Sequence, residues 1–213
     1  MEKLDKVFER FHASYFAFLG IAIFLLGIIP AMVAHSDFSL TSTFISDLAV
    51  PGWNNVAIFF SVCWFITGVC MILFLFGFTK YLHEKDTGNV HTRSIGISCI
   101  FGIVSAIGIL LLTLFNTRDA EIMHDIAQYV FFFPGVLYLI GYAVIEKNLS
   151  GFPLWQVILN IVIAFFFILY LILFIINRVD PTLFLETKAV AEWLFLFANL
   201  FWFVENGFFM LKF

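Results

Sequence analysis

Six apolar runs succeed one another along the chain, at 14–34, 54–79, 94–115, 124–145, 153–177 and 188–211. Each supplies about the 20 residues that a helix needs to cross a hydrocarbon core of roughly 30 Å. The connections between them are short, so each helix runs antiparallel to the next. The pattern predicts an all-α, polytopic integral membrane protein: six transmembrane helices in an antiparallel bundle, forming one domain over 1–213. No connection is long enough for a second domain, and no internal repeat stands out.

Polar residues interrupt these runs at helical intervals. In the last run Glu192, Asn199 and Asn206 lie seven apart, which sets them along one face because seven residues are nearly two turns. Groups of this kind are costly in lipid and face the bundle interior. The stripe is therefore expected inside, with Phe195 or Phe209 toward lipid. The fourth run carries His124, Gln128, Gly135, Tyr138 and Tyr142 on a similar stripe. For Gln128, Asn199 and Asn206, hydrogen bonds between helices are the expected role. Glycine and serine in the first three runs suit close helix packing.

Composition agrees with a membrane chain. Hydrophobic residues make up 62% and charged ones 12% of the 213 residues, against about 45–50% and 25% in soluble domains. The 31 phenylalanines place much aromatic surface toward lipid. Cys63, Cys70 and Cys99 all sit within apolar runs and read as small buried hydrophobes. The net charge of −4 argues against a nucleic-acid partner. The start, MEKLDKVFERFHA, lacks the form of a cleavable signal and reads as a short amphipathic helix feeding an uncleaved first span.

Lysine and arginine are unevenly shared between the two sides. Lys3, Lys6, Arg10, Lys80, Lys85, Arg93, Lys147 and Lys212 fall on one side; Arg118, Arg178 and Lys188 fall on the other. The excess puts both termini in the cytoplasm. The segment FISDLAVPGWNN, 44–55, then faces away from the cytoplasm. Pro51-Gly52 breaks the chain there, and Asn54 or Asn55 can cap the second helix.

That orientation gathers four chemistry-bearing residues at one end. Asp47 precedes the second helix, Asn116 ends the third, His124 opens the fourth, and Glu192 lies little more than a turn inside the sixth. Together they are a candidate ligand-binding set. A histidine beside carboxylates suits a proton relay, a general base, a metal ligand or a headgroup site. The same residues also suit helix caps and loop anchors. Asp47 is expected to fold back toward His124 or Asn116, because a carboxylate near low-dielectric protein needs donors. No metal-ligand spacing such as HxxxH or HxxE occurs, and no cofactor is implied.

Three motifs in order carry a family resemblance. FISDLAVPG resembles the FISDTG-type segment of the DRAM/Frag/Sfk-type superfamily, the damage-regulated autophagy modulators and their relatives. SAIGILLLTLFNTRDAEIMHDIAQYVFF, 105–132, resembles that family's third helix, short loop and histidine opening the fourth. AEWLFLF resembles its Glu-Trp element. LFN here reverses the family's Asn-Phe order, and PGWNN lacks a following acidic residue. The DUF998 membrane proteins are a near neighbour. Asp47, His124 and Glu192 match the family's motif positions. The resemblance implies work on membrane lipids or in autophagy and lysosomes: remodelling of glycosylphosphatidylinositol lipids, or recruitment of phosphoinositide kinases. It implies a place in the plasma membrane or a lysosome-type endomembrane, and it supplies no catalytic set.

The reading that results is a multi-pass protein whose non-cytoplasmic polar pocket binds or senses a lipid headgroup, in a regulatory or scaffold role. Its partners are membrane lipids, with room for a protein partner on the cytoplasmic face. One alternative is an intramembrane lipid-modifying enzyme, a hydrolase or acyl-transfer factor, using His124 with Asp47 or Glu192. Another is a channel or transporter with a polar path along the last helix, from Glu192 past Asn199 to Asn206 and Glu205.

Orientation is directly testable. The sequon Asn148-Leu149-Ser150 falls on the side assigned to the cytoplasm and should stay unglycosylated in a eukaryotic host. A glycan at Asn148, seen as an enzyme-sensitive gel shift, would invert the topology.

Overall fold

The computed structural model describes residues 6–8, 10–180 and 182–212. The expected N-terminal amphipathic helix lies partly outside the described residues, as does Lys3; residues 6–8 and 10 are helical. Six long helices follow: α1 (Ser14–Ala34), α2 (Ala57–Lys85), α3 (Thr92–Leu114), α4 (Glu121–Asn148), α5 (Leu154–Val179) and α6 (Leu185–Lys212). All six are long and apolar enough to cross a membrane. A short 3₁₀ turn, Ile45–Ala49, interrupts the connection between α1 and α2.

Each helix packs on its neighbours in sequence, and α1 also packs on α6, so the bundle closes into a ring. One end, here the crown, holds the connections 35–56, 115–120 and 180–184. The opposite, terminal end holds 86–91 and 149–153 together with Arg10 and Lys212. Local chemistry sets several of the bends. Asn54 is buried; its Oδ1 accepts the Val56 N–H at 3.0 Å and its Nδ2 donates to the Ala31 carbonyl at 2.8 Å. It thereby links the end of α1 to the start of α2, a use of an Asn side chain at a helix start. At the terminal end Asp86 accepts the N–H groups of Val90 and His91 at 3.1 and 2.8 Å, which turns the chain into α3.

The interior is aromatic. Trp202 is fully buried, stacks on Tyr142 and meets Phe74, Phe78 and Tyr138 edge-on or at steep angles. The last-helix stripe lies inside, with Glu192, Asn199 and Asn206 at 5, 3 and 0% exposure. Phe195 and Phe209, expected toward lipid, are buried too, and Phe197, Phe201 and Phe208 face outward instead. The cause is helical phase. Phe195 and Phe209 each stand three residues beyond a stripe position, and i and i+3 share a face. The three cysteines are buried and unpaired.

Close approach between α3 and α4 depends on a missing side chain. A Cβ at Gly108 would lie 2.5 Å from the Phe131 backbone nitrogen. Nearby, the Ser105 hydroxyl donates to the Phe131 carbonyl at 2.7 Å, a contact that needs the backbones this near. Small residues serve membrane helices in this way because lipid offers no hydrophobic drive for association. Gly108→Ala should therefore destabilise the fold by about 1–3 kcal/mol through overpacking. At Gly96 an added Cβ would meet nothing within 4 Å, and Gly96→Ala should be neutral or mildly stabilising. Thermal unfolding of both variants in one detergent checks the contrast.

Candidate functional site at the crown of the bundle

The connection 35–56 does not hang free. The Glu192 carboxylate, two turns into α6, accepts the backbone N–H of Ile45 at 3.0 Å. The indole N–H of the next residue, Trp193, donates to the Thr43 carbonyl at 2.9 Å. These bonds pin the 3₁₀ turn onto the start of α6. Ile45, Leu48 and Val50 are then buried against the bundle. An apolar turn can lie over the helix ends because α6 satisfies backbone groups that would otherwise be stranded.

Beneath this lid is a cavity of about 320 Å³, lined by Ser46 and Asp47 from the turn, Thr117, His124, Asp125 and Gln128 around α4, and Tyr170, Arg178 and Lys188 from α5 and α6. Asp47 and His124 thus share one cavity, although no hydrogen bond joins them. Asp47 Oδ2 accepts the N–H of Phe44 at 3.0 Å, within its own segment. Burial pushes its carboxyl above the usual range; the Phe44 N–H and the positive charge of His35 and Lys188 offset that in part.

His124 is 2% exposed and both ring nitrogens are engaged. Nδ1 lies 2.7 Å from the Phe115 carbonyl, which can only accept, so Nδ1 carries the proton. Nε2 then accepts from the Gln128 side-chain amide at 3.1 Å. This assignment rests on the hydrogen-bond partners. The Thr117 hydroxyl, on the cavity wall, is buried without a hydrogen-bond partner; the Tyr170 hydroxyl and the Gln128 side chain are buried there too, close enough to interact with each other.

The cations differ in state. Arg178 is paired with Glu121 at 2.8 Å and with Asp125. Lys188 is half-buried, with its ammonium 5.0 Å from the ring centres of both Phe44 and Phe174, and donates to Asn177 Oδ1 at 3.2 Å. It forms no ion pair with a carboxylate among the described residues.

Two of the four expected ligand-binding residues stand elsewhere. Asn116 does not line the cavity. Its Oδ1 accepts the N–H groups of Arg118 and Asp119 at 3.0 and 2.8 Å, and its Nδ2 donates to Asp119, so it closes the 115–120 turn. Asn is well suited to this local bonding, which takes its side chain away from the pocket. Glu192 lies below the cavity, beside a void of about 10 Å³ shared with His124 and Gln128. Gln128, expected as structural, is on the cavity wall. Asn199 accepts from the Tyr138 hydroxyl at 3.1 Å, and Asn206 accepts from Gln156 at 2.9 Å, both between helices. Sequence reasoning missed Lys188 and Tyr170. Lys188 had a signal, since it precedes Glu192 by four residues and so shares its face. Tyr170 had only its hydroxyl in an otherwise apolar run.

The state of Asp47 yields a pH-dependent expectation. The folded chain holds the Asp47 proton more tightly than the unfolded one does, so ionisation costs stability as pH rises through the folded value. Asp47→Asn removes that cost and keeps an acceptor for Phe44. The variant should unfold at a higher temperature than the wild type at neutral pH. The gain should vanish below the ordinary aspartate value of 3.8. Thermal unfolding across this range measures it; a loss of stability at pH 7 would contradict it.

The family model described as the Frag1/DRAM/Sfk1/Cwh43P N-terminal domain matches residues 10–205. No curated protein and no solved structure matches the chain. The match takes in all of α1 to α5 and most of α6, with the 3₁₀ turn, the His124 helix and the Glu192-Trp193 pair in it. The chain belongs to the Frag1/DRAM/Sfk1 family of multi-pass membrane proteins.

Proposed function

We propose that the crown cavity binds the anionic headgroup of a membrane lipid, and that the protein acts by recognising that lipid rather than by transforming it. One observation carries this reading: Lys188 is held between two aromatic rings at the cavity wall and is in direct ion-pair contact with no carboxylate among the described residues, although Glu192, Asp125 and Asp47 act on it from farther off. A cation kept partly out of water gains from an anion brought to it. The Thr117 hydroxyl, with the Tyr170 hydroxyl and the Gln128 side chain beside it, offers hydrogen bonds to the hydroxyl and phosphate oxygens of such a headgroup. Arg178, already paired with carboxylates, holds the α4 and α5 ends together at the rim.

With the termini in the cytoplasm, the cavity faces the non-cytoplasmic leaflet of the plasma membrane or an endomembrane. Membership of the family supports a role in membrane lipid organisation or an autophagy-type process. The enzyme reading has less support, since both nitrogens of His124 are engaged by the Phe115 carbonyl and the Gln128 side chain. The transport reading needs a continuous polar path along α6. Buried Phe195 and Trp202 interrupt it, and the void beside Asn199 is about 10 Å³.

Lys188→Gln tests the reading. Loss of one charge-assisted hydrogen bond of about 1.5–3 kcal/mol should weaken binding of phosphatidylinositol by about ten- to a hundredfold. Binding of phosphatidylcholine should hardly change. Native mass spectrometry of the full chain with matched acyl chains reads both. Equal retention of phosphatidylinositol by wild type and variant would sink the proposal.

A further inference from the structure

A second polar cluster sits in the half of the bundle nearest the terminal end, away from the crown cavity. Glu146 of α4 is fully buried, and its Oε2 accepts from Asn160 at 2.6 Å. Asn160 in turn accepts from the Trp202 indole at 2.5 Å. Glu146 Oε1 and Gln156 Oε1 have no partner. Glu205 of α6 lies close enough to Glu146 for their charges to interact. It is 9% exposed, and its Oε2 is buried without a hydrogen-bond partner.

Glu205 is also the floor of a groove. The groove encloses about 600 Å³ between the start of α5 and the end of α6. Its walls are apolar, including Pro153, Trp155, Val204 and Phe208, and Lys212 stands at its mouth. Trp155 and Phe208 expose about half their surface there, at 52 and 54%. The groove therefore has three chemical zones: a carboxylate with an unpartnered oxygen, aromatic and aliphatic walls, and a cation at the end of the helix.

We propose that this groove holds one phospholipid from the adjoining leaflet, with a primary ammonium headgroup donating to Glu205 and its phosphate beside Lys212. The charges are complementary at both points. A carboxylate in a low-dielectric wall needs hydrogen-bond donors as well as opposite charge, and a primary ammonium carries three N–H groups. A trimethylated headgroup carries none. The acyl chains lie along Trp155 and Phe208, the kind of aromatic surface found where helices meet the bilayer interface. This site is separate from the crown cavity and does not depend on it.

The test uses the full chain in detergent and a headgroup series with identical acyl chains: phosphatidylethanolamine, its N-methyl and N,N-dimethyl forms, and phosphatidylcholine. Native mass spectrometry reads the lipid retained. Wild type should prefer the ethanolamine lipid by about tenfold, as expected for one charge-assisted hydrogen bond, and the preference should fall with each methyl added. Glu205→Gln should flatten the series, whereas Glu186→Gln, exposed at the far end of α6, should leave it intact. A photoreactive ethanolamine lipid should label 151–155 or 201–212. A flat series in wild type, an unchanged preference in Glu205→Gln, or labelling confined to the crown would each overturn the proposal. If Glu205→Gln does not fold, the methylation series and the labelling on wild type still decide it.

Discussion

The bond from Ile45 N–H to Glu192 is the constraint on which the crown depends. A carboxylate 5% exposed inside a membrane protein is costly unless donors meet it. The donor is a backbone N–H at 3.0 Å, supplied by a segment 147 positions away. Satisfying that one group draws the 3₁₀ turn down over α6, and the neighbouring Trp193 fastens it at Thr43. Once the turn is fixed, Phe44 covers Lys188 and Asp47 enters the cavity. The pocket is thus a consequence of how a buried carboxyl group finds its donor.

The same rule organises the rest of the bundle. Polar groups on α6 are bonded one by one to other helices: Asn199 to Tyr138 of α4, and Asn206 to Gln156 of α5. These bonds set the rotation of α6 within the ring, while Gly108 and Ser105 set the separation of α3 from α4. Packing and polar satisfaction act together, as they must where lipid tails compete for every apolar contact.

The two ends of the bundle carry opposite chemistry. At the crown an ammonium sits between aromatic rings without a direct ion pair among the described residues; near the terminal end a carboxylate oxygen is buried without a donor. Each opens on a space large enough for part of a lipid.

Much of this architecture is decided by local rules. Run length and hydropathy determine six helices, and a spacing of seven determines that Glu192, Asn199 and Asn206 turn inward, since helical phase holds whatever the neighbours are. The segment FISDLAVPG and the Glu192-Trp193 pair carry the family in the sequence itself. What each polar group bonds to is a different matter, because it depends on which helices the ring brings side by side. Asn116 serves its own turn instead of the pocket; His124 spends both nitrogens on Phe115 and Gln128. Lys188 looks like an ordinary loop-end cation until Phe44 and Phe174 close around it. Glu146 and Glu205 stand 59 positions apart, and only the packing of α4 against α5 and of α5 against α6 makes neighbours of them. Periodicity acts within one helix; donor and acceptor pairing acts between helices, and it exists only after the bundle has closed.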